Sequence, residues 1–300
     1  MPQPWGELAA VATSVCWSAT ATFFTFASRK VGALVVNRVR LLLASALLLL
    51  THTLLLGRPL PLEAEPSRWL WLGLSGIIGL TIGDAFLFQA YVWNGPRLSM
   101  LIMSSAPVMS ALLAWAALGQ QLLLIHWLGI AITVAGIAWV VLGRKAGPAA
   151  APRPHYLRGV LLGFGAAAGQ AVGLVLARQG LAGDFPALSG NVIRMVSAAA
   201  VIWLVALVQR QAGLTFRRLA SDRSAWAPML GGSVFGPYIG VWLSLVAIQL
   251  TDIGIASALM ALPPVFLLPV DAFVFREKVG WQAVAGTAVA IGGAIVLVLT

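Results

Sequence analysis

Residues 69–96 read "WLWLGLSGIIGLTIGDAFLFQAYVWNGP". Nothing in 69–82 is charged, and Asp84 then stands between a glycine and a second apolar run. A block of about twenty apolar residues, rising 1.5 Å per residue, is long enough to cross a hydrocarbon core of about 30 Å. Blocks of this kind recur along all 300 residues. The chain is 60% hydrophobic and 9% charged, where a soluble domain carries roughly a quarter charged residues. These features predict an all-α polytopic membrane protein. The net charge of +10 does not point to nucleic acid, because the Lys and Arg residues fall mostly in short connections, where membrane topology places them.

Ten spans are predicted: 6–27, 35–56, 69–92, 98–118, 124–143, 157–178, 189–209, 226–249, 254–275 and 279–299. The N-terminus lacks a basic leader, so the first block reads as a retained span. The Pro- and Ala-rich connection 144–156 reads as a linker between a first unit, 1–143, and a second, 157–300.

The two units repeat each other. A shift of 157 residues puts Gly79 on Gly236, Gly83 on Gly240, Pro107 on Pro264, Gly129 on Gly286 and Gly136 on Gly293. A shift of 154 puts Asn37 on Asn191 and Arg40 on Arg194. Five spans per unit is an odd number, so the second unit enters the membrane from the opposite side. Such inverted repeats recur in secondary transporters, with the substrate path between the repeats near the bilayer midplane. Fifteen of the 19 Lys and Arg residues lie on one side of this topology. That side is predicted to be cytoplasmic and both termini non-cytoplasmic.

The stretches "PVMSALLAWAALGQQLLLIHWLGIAITVAGIAWVVL" (107–142) and "PPVFLLPVDAFVFREKVGWQAVAGTAVAIGGAIVLVL" (263–299) resemble the EamA domain of the drug/metabolite transporter superfamily. Trp17-Ser18 in the first span and an Arg opening the second, here Arg40 with Arg194 as its counterpart, belong to the same pattern. The resemblance covers essentially the whole chain. It implies an inner-membrane transporter of a bacterium, exporting small metabolites such as amino acids. A drug efflux protein or a flippase for lipid-linked substrates on the same fold is the alternative. Two residues depart from the pattern: Gln120 replaces the turn acid that Glu277 supplies in the second half, and Gln170 stands where Trp17 would repeat. No acid lies inside the first span, so the proton-exchange mechanism of the small multidrug pumps does not carry over.

Several residues are candidates for the transport path. An acid at the bilayer centre costs about 2.5–3.5 kcal/mol on insertion scales, so Asp84 should face the bundle interior. Thr81, Asp84, Phe88 and Tyr91 share one helical face. Two readings of Asp84 stand: it binds a substrate ammonium or exchanges a proton, or it pins a neighbouring helix. On the matching span, Tyr238, Trp242, Leu245 and Gln249 share a face, and the aromatic pair suits stacking on a flat substrate. Trp17 and Gln170, at equivalent depth, are expected to face each other across a cavity. Arg40 and Arg194 are read either as snorkelling to the head groups or as an anion site or gate. Ser104 is a candidate hydrogen-bond donor, and "MSSAP" (103–107) and "MALPP" (260–264) read as kinks. Asp271 reads as a solvated or salt-bridged helix end, and the glycines of 129–143 and 286–293 as close helix packing.

The expected substrate-binding set is therefore Trp17, Asp84, Phe88, Ser104, Gln170, Arg194, Tyr238 and Trp242. Lone Cys16 and the scattered His52, His126 and His155 predict no metal and no cofactor. Converging catalytic groups are missing from the spans, so no enzyme is expected. Expected partners are a small-molecule substrate, membrane lipid and protons, with monomer and homodimer both open.

Overall fold

The structure is a computed structural model, and it describes residues 5–109, 112–113, 123–143, 155–250, 256, 259–276 and 280–299. Every regular element among them is helical. Six helices are long and apolar enough to cross a membrane: α1 (Trp5–Val31), α2 (Ala33–Leu56), α3 (Pro66–Asn94), α6 (Tyr156–Gly180), α7 (Ala187–Val208) and α9 (Arg223–Leu250). Between and after these lie α4 (Pro96–Met103), α5 (Leu124–Gly143), α8 (Ala212–Ser221), α10 (Pro263–Phe273) and α11 (Trp281–Leu299). The spans predicted at 98–118 and 254–275 fall partly outside the described residues, as do most of the linker and the turn residues Gln120 and Glu277. The side chain of Asp271 also lies outside them.

The connection at 210–225 holds a helix that hydropathy alone did not reveal. In α8, Thr215 and Leu219 are buried while Phe216 is exposed. Arg38 ties α8 to α2 by donating to Thr215 Oγ1 (3.0 Å) and Gln211 Oε1 (2.7 Å).

Packing repeats with the halves exchanged. Helix α1 packs on α9 and α10, as α6 packs on α3 and α4; α2 meets α7, and α5 meets α11. Small residues set these approaches. A Cβ added at Gly169 on α6 would stand 3.0 Å from the Cα of Gly83 on α3. One added at Gly293 on α11 would stand 2.9 Å from the carbonyl of Gly129 on α5. The glycine spacing is thus the spacing of backbone contact, as expected for apolar helices held by packing rather than by exclusion of water.

Both α3 and α9 carry one wide π turn, at Ile77–Gly83 and Val234–Gly240, the same place in the repeat. The amide of Asp84 bonds the carbonyl of Gly79, five residues back, and that of Val241 bonds Gly236. Each wide turn releases one carbonyl, of Leu80 and of Pro237, from its ordinary i+4 donor. Such turns inside helices concentrate at functional sites. Here they sit beside the central cavity.

Candidate functional site

A cavity of about 70 Å³ lies between the halves. Its wall takes Trp17, Thr20 and Phe24 from α1, Arg40 from α2, and Leu80, Asp84, Leu87, Phe88 and Tyr91 from α3. Met100 and Met103 come from α4, Gln170 and Leu174 from α6, Arg194 from α7, and Gly236, Pro237, Val241 and Ser244 from α9. A second compartment, of about 50 Å³, shares Trp17, Met100, Met103, Gln170 and Leu174 with the first. It ends at Ser104, Pro107, Met260, Ala261 and Pro263, in the two broken-helix segments.

The first repeat builds a closed polar cluster on the wall. Arg40 is 2% exposed and donates through Nη2 to Asp84 Oδ2 at 2.5 Å, where Asp84 is 17% exposed. The same guanidinium donates to the released Leu80 carbonyl at 2.7 Å and, through Nε, to Asn37 Oδ1 at 2.9 Å. Asn37 Nδ2 then donates to the Thr81 carbonyl at 2.9 Å. The guanidinium lies 4.9 Å from the ring centroid of Phe88 and 5.9 Å from that of Phe24. A buried charge is tolerated when it is paired and hydrogen-bonded, and Arg40 has Asp84 for its charge and partners for Nε and Nη2. Asp84 therefore pins α2 to α3 while keeping one edge on the cavity.

The second repeat copies the scaffold and leaves out the acid. Asn191 Nδ2 donates to the released Pro237 carbonyl at 3.2 Å. Val241 occupies the place of Asp84 on the wall. Arg194 is 2% exposed and reaches the same cavity as Arg40. Both arginines lie two turns inside their helices with their side chains buried, so neither snorkels to the head groups.

The cavity brings together Trp17, Asp84, Phe88, Gln170 and Arg194 from the expected set. Ser104 borders the second compartment, but its hydroxyl is engaged with the carbonyls of Met100 (3.2 Å) and, across the repeat axis, Ala261 (3.1 Å). Ser105 bonds back to the Ile102 carbonyl at 2.6 Å, within its own helix.

Tyr238 and Trp242 are not among the residues that line these two compartments. Their rings stand 6.5 Å apart and, partly buried, pack against a cluster that includes Leu41, Leu48 and the wall residues Leu80 and Val241, with the Tyr238 hydroxyl 2.7 Å from Thr51 Oγ1. Thr81 likewise turns to α7, donating to the Ala198 carbonyl at 3.1 Å. In α9 the wall face is Pro237, Val241 and Ser244, one residue earlier than the face read from the aromatics. The repeat register already held that signal, because Leu80, Asp84 and Leu87 shift onto Pro237, Val241 and Ser244. Phe24, Met100 and Met103 had no such marker, being apolar residues in apolar helices.

Among the described residues no cluster of His, Cys, Asp or Glu is arranged to hold a metal ion. His52 is buried in a structural role, its ring nitrogens meeting the Arg58 carbonyl at 2.5 Å and Ser189 Oγ at 3.0 Å.

A profile of the EamA-like transporter family matches residues 4–142 and again 157–299. No curated protein matches the chain. A solved crystal structure matches with a TM-score of 0.69 at 20% identity, covering 98% of this chain and 96% of that one. At that identity the likeness is one of fold.

Proposed function

The chain belongs to the EamA-like transporter family, within the drug/metabolite transporter superfamily, and on that basis we propose that it is a secondary transporter moving small metabolites through the central cavity by alternating access. As a multi-pass membrane protein of a transporter family, it acts on a small molecule by translocation, not by catalysis. Its architecture is ten spans in two inverted repeats, 1–143 and 157–300, joined by 144–156. It sits in a bacterial inner membrane with both termini non-cytoplasmic, and works as an exporter of amino acids and related compounds.

The observation that carries this reading is the cavity between the halves, with Arg40 and Arg194 buried and Asp84 half-buried on a mainly apolar and aromatic wall. The adjoining compartment ends at turns at Ser104–Ser105 and at Ala261, equivalent positions of the two repeats. Breaks at equivalent places suit a device whose halves rock about a shared site. A flippase for lipid-linked substrates would need a path free of such central charges for its acyl chains, and Arg40, Asp84 and Arg194 stand against it.

Counterflow in proteoliposomes tests the reading: saturable exchange of a metabolite from an amino-acid and organic-acid panel is expected. No exchange across the whole panel would contradict it. Two tryptophans give a sharper contrast. Trp17→Ala removes a wall of both compartments and is expected to raise the half-saturation concentration by roughly tenfold, as losing a buried aromatic contact worth ~1–2 kcal/mol does. Trp242→Ala is expected to lower stability by about 3 kcal/mol through a packing void and to leave the half-saturation concentration unchanged. A rise with Trp242→Ala and none with Trp17→Ala would place the path on the other face of α9.

A further inference from the structure

The two arginines are equivalent in sequence and opposite in circumstance. Arg40 has an acid, a carbonyl and an asparagine oxygen as partners. Arg194 has no hydrogen bond or ion pair to any protein group among the described residues. The local break is visible atom by atom. In the first repeat Arg40 Nε donates to Asn37 Oδ1. In the second, the equivalent atoms, Arg194 Nε and Asn191 Oδ1, are both buried and both lack a partner. The guanidinium has let go of its asparagine and lines the cavity instead. The acid that would have answered it is Val241.

Charge gives the same result. The wall holds two guanidiniums and one carboxylate, a surplus of one positive charge. Asp84, already paired with Arg40, is the acid whose charge acts on Arg194, and a buried guanidinium with no hydrogen-bonded partner is costly to hold. A planar guanidinium with free N–H groups matches a carboxylate through two parallel hydrogen bonds. Much of the remaining cavity wall is aromatic or thioether, from Trp17, Phe24, Phe88, Tyr91, Met100 and Met103, with Gln170 as a polar group among them. That lining suits an apolar or flat body attached to the anion. The backbone holds Arg194 firmly, since a Cβ at Gly76 would stand 2.9 Å from the Cα of Arg194, so α3 and α7 meet there without side chains between them.

We propose that Arg194 is the anchor for a substrate carboxylate, so that the cavity takes organic monoanions with an apolar body and completes in the second repeat the ion pair that Asp84 completes in the first. The proposal rests on the transport reading above and names its substrate class. Asp84, its Oδ2 already held by Arg40, is then a wall group and not the primary anchor. Ligands that carry only an ammonium have no free partner of matching strength.

The test uses the purified full-length protein in detergent and compares 3-phenylpropanoate, its amide and 3-phenylpropylamine, with shorter and longer monocarboxylates as a panel. Binding is read from the thermal midpoint and from quenching of tryptophan fluorescence. A ligand of the folded state raises the midpoint by mass action. At least one carboxylate of the panel is expected to bind, with its amide and the amine weaker by roughly tenfold to a hundredfold, the range for losing a charge-assisted hydrogen-bonded pair. Arg194→Gln is expected to erase the preference for acid over amide, and Arg194→Lys to keep part of it. Equal binding of acid and amide, tightest binding by the amine, or no binding by any carboxylate would overturn the proposal. These comparisons need only the wild-type protein, so they decide the matter even where Arg194→Gln fails to fold. Counterflow separates the two layers. Exchange of a solute indifferent to its carboxylate would overturn the anchor and leave the transport reading standing. Arg194-dependent binding without counterflow of any solute would support the anchor and contradict transport.

Discussion

Asp84→Asn is expected to destabilise the folded protein by about 3–5 kcal/mol, the usual result of removing one partner of a buried ion pair. The asparagine keeps the shape and loses the charge. Arg40, 2% exposed, would then be a second unanswered guanidinium on a wall that already carries Arg194. The protein is expected to reach the membrane in reduced amount, with a lowered thermal midpoint and little counterflow. Arg40→Met combined with Asp84→Leu is expected to recover most of the stability, because a buried pair replaced by apolar groups of similar volume is often neutral or better. The double variant separates the two readings of the acid. Where Asp84 is a pin, counterflow returns with the fold. Where it binds substrate or exchanges a proton, the fold returns and counterflow does not. The ion pair at 2.5 Å and the bond to the released Leu80 carbonyl favour the pin, so recovery of counterflow is the expected result.

Gly76→Ala is expected to cost about 1–3 kcal/mol or more, a penalty typical of overpacking, although alanine is the better helix former by roughly 1 kcal/mol. The added Cβ would stand 2.8 Å from the carbonyl carbon and 2.9 Å from the Cα of Arg194. Those are backbone atoms of a packed helix and cannot rotate away. Helices α3 and α7 must separate, which shifts Arg194 relative to Asp84. A lowered thermal midpoint is expected together with a weakened preference for acid over amide. Gly213→Ala on α8 is the control: nothing lies within 4 Å of its added Cβ, so the midpoint should stay level or rise. A Gly76→Ala protein as stable as the wild type would mean that α3 and α7 are not in backbone contact at Arg194.

The helices were legible because hydropathy over twenty residues is a strong signal, and the six long helices agree with the blocks read from composition to within a few residues. Internal repetition was legible through glycines and prolines, residues whose backbone roles constrain their spacing. The face of α9 was not read from its aromatics, because a helix apolar all round has no polar side to orient it. Tyr238 and Trp242 form an aromatic pair one residue out of register with the wall face of α9. The register against Asp84 pointed to Val241 and was the better guide. The π turns had no marker in hydropathy, yet they release the Leu80 and Pro237 carbonyls around which the polar wall is built. Asp84 was read correctly as facing inward. Its partner was three-dimensional, since nothing in the spacing of Arg40 and Asp84 along the chain joins them.

The central claim, that the cavity is a substrate path open alternately to the two sides, is tested most directly by labelling Met103→Cys in a Cys16→Ala background. Met103 lines both compartments, and Cys16 is the only native cysteine. In sealed vesicles, a membrane-impermeant maleimide is expected to reach the new thiol from either side in turn. A bound carboxylate should slow the labelling, and counterflow should stop once the thiol is modified. Labelling from one side only, with counterflow unaffected by complete modification, would contradict the account.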